Sequence, residues 1–235
     1  MSIHDGHRER VKNRFRNEGL ENFDEIHVLE LALFYCVARK DTNPLAHELL
    51  EHFGTLTQVM EAPVDELTKV PGIGENTATF IRLLLEVSRY YQTQKTKASK
   101  PLTNIAECAK YLIPRFHGLR DETVYLLCLD AKCNVLCCRK VGEGSVNSAS
   151  VPIRRIVEMA LAVNATSVVL AHNHPSGIAQ PSGEDVATTG RLFIALDAVG
   201  IELTDHIVVA GDNYKSVRQN CVIRAEDLDF GGWPN

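Results

Sequence analysis

The first part of the chain carries apolar residues at helical spacing between short polar breaks. Helices are predicted over 26–37, 45–53, 55–61 and 64–70. In the last helix of this part, Ala78, Ile81 and Leu85 repeat every three or four residues, as expected for one buried face. The pattern predicts a small all-helical domain at 1–95.

The second part of the chain begins after residues 92–101, a polar stretch with lysines that we interpret as a linker. Here short apolar runs typical of strands alternate with amphipathic segments. Strands are predicted over 123–130, 134–141, 167–172 and 206–210, and helices over 104–116, from Pro152 and over 183–199. This alternation predicts an α/β (α+β) domain at 101–227, with a mixed sheet flanked by helices.

Composition narrows the class of protein. The 235 residues are 45% hydrophobic and 23% charged, with a formal net charge of −5, as in soluble globular proteins. No apolar run is long enough to cross a membrane, and the N-terminus has no apolar signal region, so we expect a cytoplasmic protein with no membrane partner. The seven cysteines are odd in number and favour free, buried thiols.

The most informative segment is HNHPSGIAQPSGED, which follows a buried strand. His172 and His174 are residue types that zinc prefers, and Asp185 follows in the first turn of the next helix. Three protein ligands with a fourth position for water are typical of one catalytic zinc ion per chain. We expect the strand to relax into a loop, through Pro175 and Gly177, before both imidazoles can reach one ion.

Each feature of this segment also has an ordinary structural explanation. Ser182 and Asp185 fit a capping box, in which side chains satisfy the free amides at the start of a helix. His172 fits a core histidine, and the sequence HPSG fits a plain turn. Two histidines, an acid and a serine would then have converged by accident, which favours the metal hypothesis.

The same residues resemble a known motif. H-x-H, seven residues and then S-x-x-D is similar to the JAMM (MPN+) motif of zinc isopeptidases. The longer string HNHPSG…PS…D, followed by TDHIVVAGDNYKS, closely resembles the RadC family (UPF0758), as do GHRERVKNRF and LLEHFG…VPGIGENTA. The resemblance covers nearly the whole chain. It implies a JAMM/MPN, cytidine-deaminase-like fold preceded by a helix-hairpin-helix domain.

The resemblance also implies a catalytic glutamate upstream of the histidines. The best match is Glu122 as general base and acid, although a solvated strand-start acid is the more common outcome. The weaker candidates are Glu107, Glu143 and Glu158. In JAMM enzymes a serine at the position of Ser182 assists the oxyanion. The implied reaction is hydrolysis of a peptide or isopeptide bond in a protein or peptide substrate, with zinc as cofactor.

Two further polar residues lie near the last predicted strand. His206 could orient a metal ligand from behind, since ligating imidazoles need a hydrogen-bond partner, and Asp205 could play the same part. A packed core histidine fits the sequence at position 206 equally well.

The helical part contains VPGIGENTA, which matches the hairpin of helix-hairpin-helix modules. Gly72 and Gly74 permit a tight turn whose exposed amides can face a DNA phosphate. Acids outnumber bases around this hairpin, so a structural or protein-binding role fits as well. The bases Arg8, Arg10 and Lys12 form a candidate nucleic-acid patch or a solvated helix face.

Three hypotheses follow. The first is a zinc-dependent JAMM-type metalloprotease or other metallohydrolase. The second is a DNA-associated protein of repair or recombination, with the metal domain as nuclease or scaffold. The third is a protein-interaction module with a retained but inactive site.

Overall fold

The computed structural model describes residues 3–38, 40–96, 100–144 and 152–220. The chain divides into two compact units between Tyr90 and Tyr91. Part of the predicted linker, part of the predicted 101–227 domain and Cys221 lie outside the described residues. The domain limits 1–95 and 101–227 themselves stay predictions.

The helical unit consists of helices joined by short turns. They are α1 (Ile3–Glu18), α2 (Glu25–Leu33), α3 (Asn43–Phe53), α4 (Leu56–Glu61), α5 (Val64–Leu67) and α6 (Glu75–Lys95), the last of which extends past Tyr90. Its core contains Leu29, Leu33, Leu49, Leu67 and Ile81, all almost completely buried. Among the described residues, no helix has both the length and the apolar character needed to cross a bilayer.

Two boundaries in this unit differ from the prediction. The helix predicted over 26–37 ends at Leu33, because the next amides make tighter three-residue hydrogen bonds, such as that from Tyr35 to Ala32. The linker was predicted to begin at residue 92, but α6 continues to Lys95. Gln and Lys are good helix formers, so a polar composition did not end this helix.

The hairpin between α5 and α6 depends on a glycine. Gly72 has a φ of 85°, which side-chain-bearing residues rarely adopt, and an added Cβ would lie 2.7 Å from a methyl group of Leu45. Ile73 is buried beside it, whereas Gly74 is exposed just before α6 begins. The backbone therefore turns sharply here while one apolar side chain anchors it to the core.

The second unit is a mixed five-stranded sheet flanked by helices. Its elements are α7 (Ile105–Leu112), a short 3-10 helix (Ile113–Arg115), β1 (Glu122–Leu129), β2 (Val135–Gly144), α8 (Ile153–Ala162), β3 (Ser167–Asn173), α9 (Gly183–Asp197), β4 (Glu202–Ala210), β5 (Asn213–Ser216) and α10 (Val217–Asn220). The strand order is β2-β1-β3-β4-β5, with β3 and β4 parallel and the other pairs antiparallel. The predicted fold class is confirmed.

The central strand β3 is buried on both faces, so its residues alternate between two cores. Val168 and Leu170 pack in the cluster that contains residues of α8 and α9. Val169 and Ala171 pack in the cluster that contains residues of α7. The end of this strand is thereby fixed between two layers.

A β-bulge interrupts the pairing of β3 with β4. Val168 pairs with Leu203 and Val169 pairs with Asp205, so Thr204 is an extra residue with no partner in β3. An extra residue exchanges the two faces of everything that follows it in the strand. His206 consequently shares the face of Leu170, its partner in β3 and a member of the core beside α9.

The cysteines among the described residues are free thiols. Cys108 and Cys128 are buried in α7 and β1. Burial raises the pKa of Cys128 to about 12 and that of Cys108 to about 11, so both thiols resist ionisation at neutral pH.

We therefore expect Cys108 and Cys128 to react slowly with iodoacetamide in the folded protein and rapidly after denaturation, because the thiolate is the reactive form. Peptide mass spectrometry over a time course measures both rates. Cys133, half-buried in the turn between β1 and β2, is the internal comparison. Native labelling of Cys128 as fast as that of Cys133 would contradict this expectation.

Candidate metal centre

The two histidines lie at the end of β3. His172 is almost completely buried, pairs with Val124 of β1 and Val208 of β4, and His174 follows just beyond the strand. The expectation that the strand must loosen to bring them together was wrong. Residues two apart share one face of an extended chain, and the His174 amide still donates to the Val209 carbonyl of β4, so the extended backbone continues through both histidines and places their rings side by side.

The start of α9 supplies the carboxylate. Ser182 is the N-cap, its hydroxyl accepts a hydrogen bond from the Asp185 amide, and the Asp185 carboxylate accepts one from the Ser182 amide. This capping box is the ordinary structural role considered for both residues. It leaves the second oxygen, Oδ1 of Asp185, 3.2 Å from Nε2 of His172.

Four side chains converge at this point. Nε2 of His172 lies 3.0 Å from Nε2 of His174 and 3.9 Å from Oε1 of Glu122, and Nε2 of His174 lies 3.6 Å from Oδ2 of Asp185. One ligand atom from each of the four lies within 4.8 Å of every other. Nitrogen and carboxylate oxygen donors at this spacing form a set that can hold a metal ion.

Glu122 reaches the cluster because the beginning of β1 is fixed to the end of β3. The side-chain oxygen of Asn173 accepts a hydrogen bond from the Thr123 amide at 2.8 Å, and its NH₂ group donates to the Asp121 carbonyl. Asn173 thus holds the backbone on both sides of Glu122. This role of Asn173 was not predicted, because both of its partners lie about fifty residues away along the chain.

The weaker glutamate candidates have other partners. Glu107 accepts hydrogen bonds from Thr103, Glu143 pairs with Lys140, and Glu158 pairs with Arg154. None of these three acids belongs to the described cluster, whereas Glu122 does.

A third histidine lies directly behind the first. Nε2 of His206 is 2.7 Å from Nδ1 of His172, and Nδ1 of His206 is 2.7 Å from the hydroxyl of Thr189 in α9. Asp205 faces away and accepts hydrogen bonds from backbone amides, including that of Arg218. Sequence reasoning missed Thr189, although its position four residues after Asp185 places it on the same face of the helix.

The surroundings of Asp185 and His206 lower the pKa of both groups, which keeps the carboxyl ionised and the imidazole neutral. Burial opposes ionisation of Asp185, but the hydrogen bond and charge of His172 and the donors of Ser182 together hold the pKa of its carboxyl below the ordinary value. Burial, followed by the neighbouring His172, lowers the pKa of His206 to about 3. The site therefore presents an ionised carboxylate, backed by a neutral imidazole.

The site opens to solvent on one side. The side chains of Glu122, Asp185 and His174 are 19%, 13% and 20% exposed, whereas that of His172 is 2% exposed. Ser182 is exposed, and its hydroxyl lies 2.7 Å from Asp185 Oδ2. The cluster is therefore partly accessible to a small molecule or an extended chain.

The candidate nucleic-acid residues lie in the helical unit. Arg8 donates to the backbone carbonyls of Val37 and Lys40 and stacks on Phe34, so its guanidinium is engaged within the unit. The ammonium of Lys12 lies over the ring of Tyr35, and Arg10 is exposed. The exposed Gly72 and Gly74 form the hairpin described above.

Comparison with known families finds two matches. The RadC-like JAB domain matches residues 102–222, and the helix-hairpin-helix motif matches residues 43–94. The first match covers the sheet, the helices that flank it and all four side chains of the cluster.

Curated relatives are similar along most of the chain. A UPF0758 protein of Fusobacterium nucleatum is 34% identical, covering 93% of this chain and 97% of its own. UPF0758 proteins of Nitrosococcus oceani and Ruegeria pomeroyi are 36% and 30% identical, each covering 86% of this chain and 90% and 91% of their own. The chain therefore belongs to the RadC (UPF0758) family, with a JAB domain that follows a helix-hairpin-helix motif.

Proposed function

We propose that this protein is a zinc-dependent hydrolase of the JAMM type that cleaves a peptide or isopeptide bond. The observation that carries the proposal is the cluster of Glu122, His172, His174 and Asp185, whose ligand atoms lie within 4.8 Å of one another at a solvent-accessible edge of the sheet. Its chemistry matches a catalytic metal site better than a structural one, because it mixes imidazole and carboxylate donors and is partly open.

The donor set fits zinc. Ligands held tetrahedrally at 2.0–2.1 Å from zinc lie about 3.3 Å from one another. Nε2 of His172 lies 3.0 Å from Nε2 of His174 and 3.2 Å from Asp185 Oδ1, close to that value. The 3.6 Å contact of His174 is with the other carboxylate oxygen, Oδ2. We propose these three residues as the ligands.

The hydrogen-bond partner of the second histidine supports the same assignment. Nδ1 of His174 lies 3.0 Å from the Ile178 carbonyl, which can only accept, so Nδ1 carries a hydrogen. Its Nε2 faces His172 and Asp185 and is the nitrogen left to bind a metal ion.

Bound zinc would supply Lewis acidity, which acidifies water and polarises a carbonyl group. Glu122 accepts a proton from the attacking water on Oε1, and then donates it to the amide nitrogen as the carbon–nitrogen bond breaks. The products are a carboxylic acid and an amine. Ser182 lies at the exposed start of α9, and its hydroxyl donates to Asp185 Oδ2 in this structure. It would turn away from that carboxylate to donate to the oxygen that becomes negative during the attack.

Substitution of Asp185 by alanine should remove the metal. We expect about one zinc per chain in the parent, purified without a metal-binding tag, and close to none in Asp185→Ala, because two imidazoles alone are a weak site. Metal analysis by mass spectrometry measures the stoichiometry. Asp197→Ala removes an exposed acid from the other end of α9 and should keep the zinc. A parent protein without zinc would refute the proposal.

Glu122→Gln should separate binding from catalysis. The amide keeps the shape of the side chain but cannot shuttle a proton, so we expect zinc to be retained while turnover falls by about 10²- to 10⁴-fold. Cleavage of a peptide and isopeptide library, followed by mass spectrometry, supplies the assay. Glu143→Gln, an acid of β2 paired with Lys140, should leave turnover unchanged. Equal activity of Glu122→Gln and the parent would exclude Glu122 as the proton carrier.

A second candidate function is sequence-independent DNA binding by the helical unit. It is favoured by the helix-hairpin-helix match and by the exposed glycine turn that precedes α6. Backbone amides at such a turn can bind a phosphate. Glu75 begins α6 directly after the turn, which weakens the attraction for DNA.

Under this second function the full-length protein should bind single-stranded or branched DNA with an affinity that falls steeply with salt. Arg10→Ala should reduce the slope of log affinity against log salt by about one if Arg10 contacts a phosphate. Lys110→Ala removes the same charge from α7 and should leave the slope unchanged. Fluorescence anisotropy across a salt series measures both, and salt-insensitive binding by the parent would eliminate this function.

A further inference from the structure

We infer that Thr189 and His206 are positioning residues that fix the tautomer of His172, so that its Nε2 lone pair faces the metal centre. This inference deepens the proposed function and rests on it. The contacts involved run from the Asp185 backbone carbonyl through Thr189 and His206 to His172, and we call them the tautomer chain.

The first contact sets the direction of the tautomer chain. The Thr189 hydroxyl lies 2.6 Å from the Asp185 backbone carbonyl oxygen. A carbonyl has no hydrogen to give, and two oxygens at this distance repel unless a hydrogen lies between them. Thr189 therefore donates its single hydrogen to Asp185, and its oxygen can only accept from any other partner.

The second contact follows from the first. Nδ1 of His206 lies 2.7 Å from the Thr189 oxygen, whose hydrogen is already used, so this nitrogen must carry the hydrogen. The ring of His206 is 1% exposed, and its two nitrogens contact a hydroxyl oxygen and another imidazole, neither of which is an anion that would stabilise a buried positive charge, so the ring carries one N–H group. Its Nε2 is consequently a bare acceptor.

The third contact transfers this constraint to the metal centre. Nε2 of His206 lies 2.7 Å from Nδ1 of His172, which must donate the hydrogen. Nδ1 is thereby committed to His206, so Nε2 is the nitrogen of His172 that a metal can take, and it lies 3.2 Å from Asp185 Oδ1. The opposite tautomer would place a hydrogen where a metal ligand needs a lone pair.

The bulge at Thr204 makes the tautomer chain possible. If Thr204 paired with Val169 in a regular ladder, Asp205 would pair with Leu170 and face α9, and His206 would face the opposite core. The bulge therefore puts a group that both donates and accepts between Thr189 and His172, where a carboxylate could only accept. A hydrogen bond to the ring nitrogen of a ligating histidine that does not bind the metal typically raises the metal affinity by a factor of about 10–100.

The test compares three variants of full-length protein. Thr189→Val keeps the shape of the buried side chain and removes the hydroxyl, whereas Thr189→Ser keeps the hydroxyl. Thr188→Val is the matched control, since Thr188 is the preceding buried threonine of α9 and its hydroxyl accepts from Arg191 outside the tautomer chain. Two quantities are measured: the histidine ring tautomers by nitrogen-15 NMR of the metal-free protein, and the zinc affinity by competition with a chelator.

In the metal-free parent we expect His172 and His206 each to carry hydrogen on Nδ1. Thr189→Val should lose this preference at both rings and bind zinc about 10- to 100-fold more weakly. Thr189→Ser and Thr188→Val should keep both the tautomers and the affinity. Rescue by serine distinguishes the hydroxyl's role from a loss of packing.

A His172 ring in the metal-free parent that carries hydrogen on Nε2 and none on Nδ1 would overturn the inference. Parental tautomers and parental zinc affinity in Thr189→Val would also overturn it. The tautomers of the parent protein can be measured even if a variant does not fold, so the inference can still be tested. A parent with both rings in the expected tautomer but without zinc binding would refute the metal centre and leave the tautomer chain standing. A zinc-binding parent with the opposite tautomer of His172 would refute the chain alone.

Discussion

Lone pairs and negative charges repel one another when a fold holds them close together. The second unit of this protein must offset such a repulsion, and this requirement constrains the rest of its structure. Nitrogens of His172 and His174 lie 3.0 Å apart, beside the carboxylates of Asp185 and Glu122. Such an arrangement costs folding free energy unless shared hydrogens or a cation offset it. The scaffold that holds these groups must therefore be stable for other reasons.

That stability comes from the buried sheet and from the local hydrogen bonds around it. The centre of β3 is packed on both faces, which fixes the direction in which the strand delivers its last residues. The capping box of α9 orders the helix start and one carboxylate oxygen together. Asn173 ties the beginning of β1 to the same strand end. The capping box and the Asn173 hydrogen bonds satisfy backbone groups, and in doing so they fix the position of a polar side chain of the cluster.

Sequence patterns were most informative where a residue acts through its neighbours in the chain. The start of α9 followed from Ser182 and its acid, although the helix ends at Asp197, two residues before the predicted end. Four of the five strands followed from the apolar runs, and the short polar β5 did not. The two histidines and Asp185 lie together, as the motif led us to expect, although their roles stay predictions. The bulge was not predictable, because Thr204 is an ordinary strand residue and no glycine marks the irregularity. Thr189 was missed because it matters only once α9 packs against β4.

The unpaired residue in β4 also bears on how such a centre could be moved to another protein. Copying the two histidines and the carboxylate onto a regular parallel sheet would reproduce their spacing but would point the supporting imidazole into the wrong layer. A successful graft would need to transfer β4, with its bulge, together with α9. The smallest transferable unit for the three ligands is therefore the β3–α9–β4 crossover, and Glu122 would have to be supplied by β1.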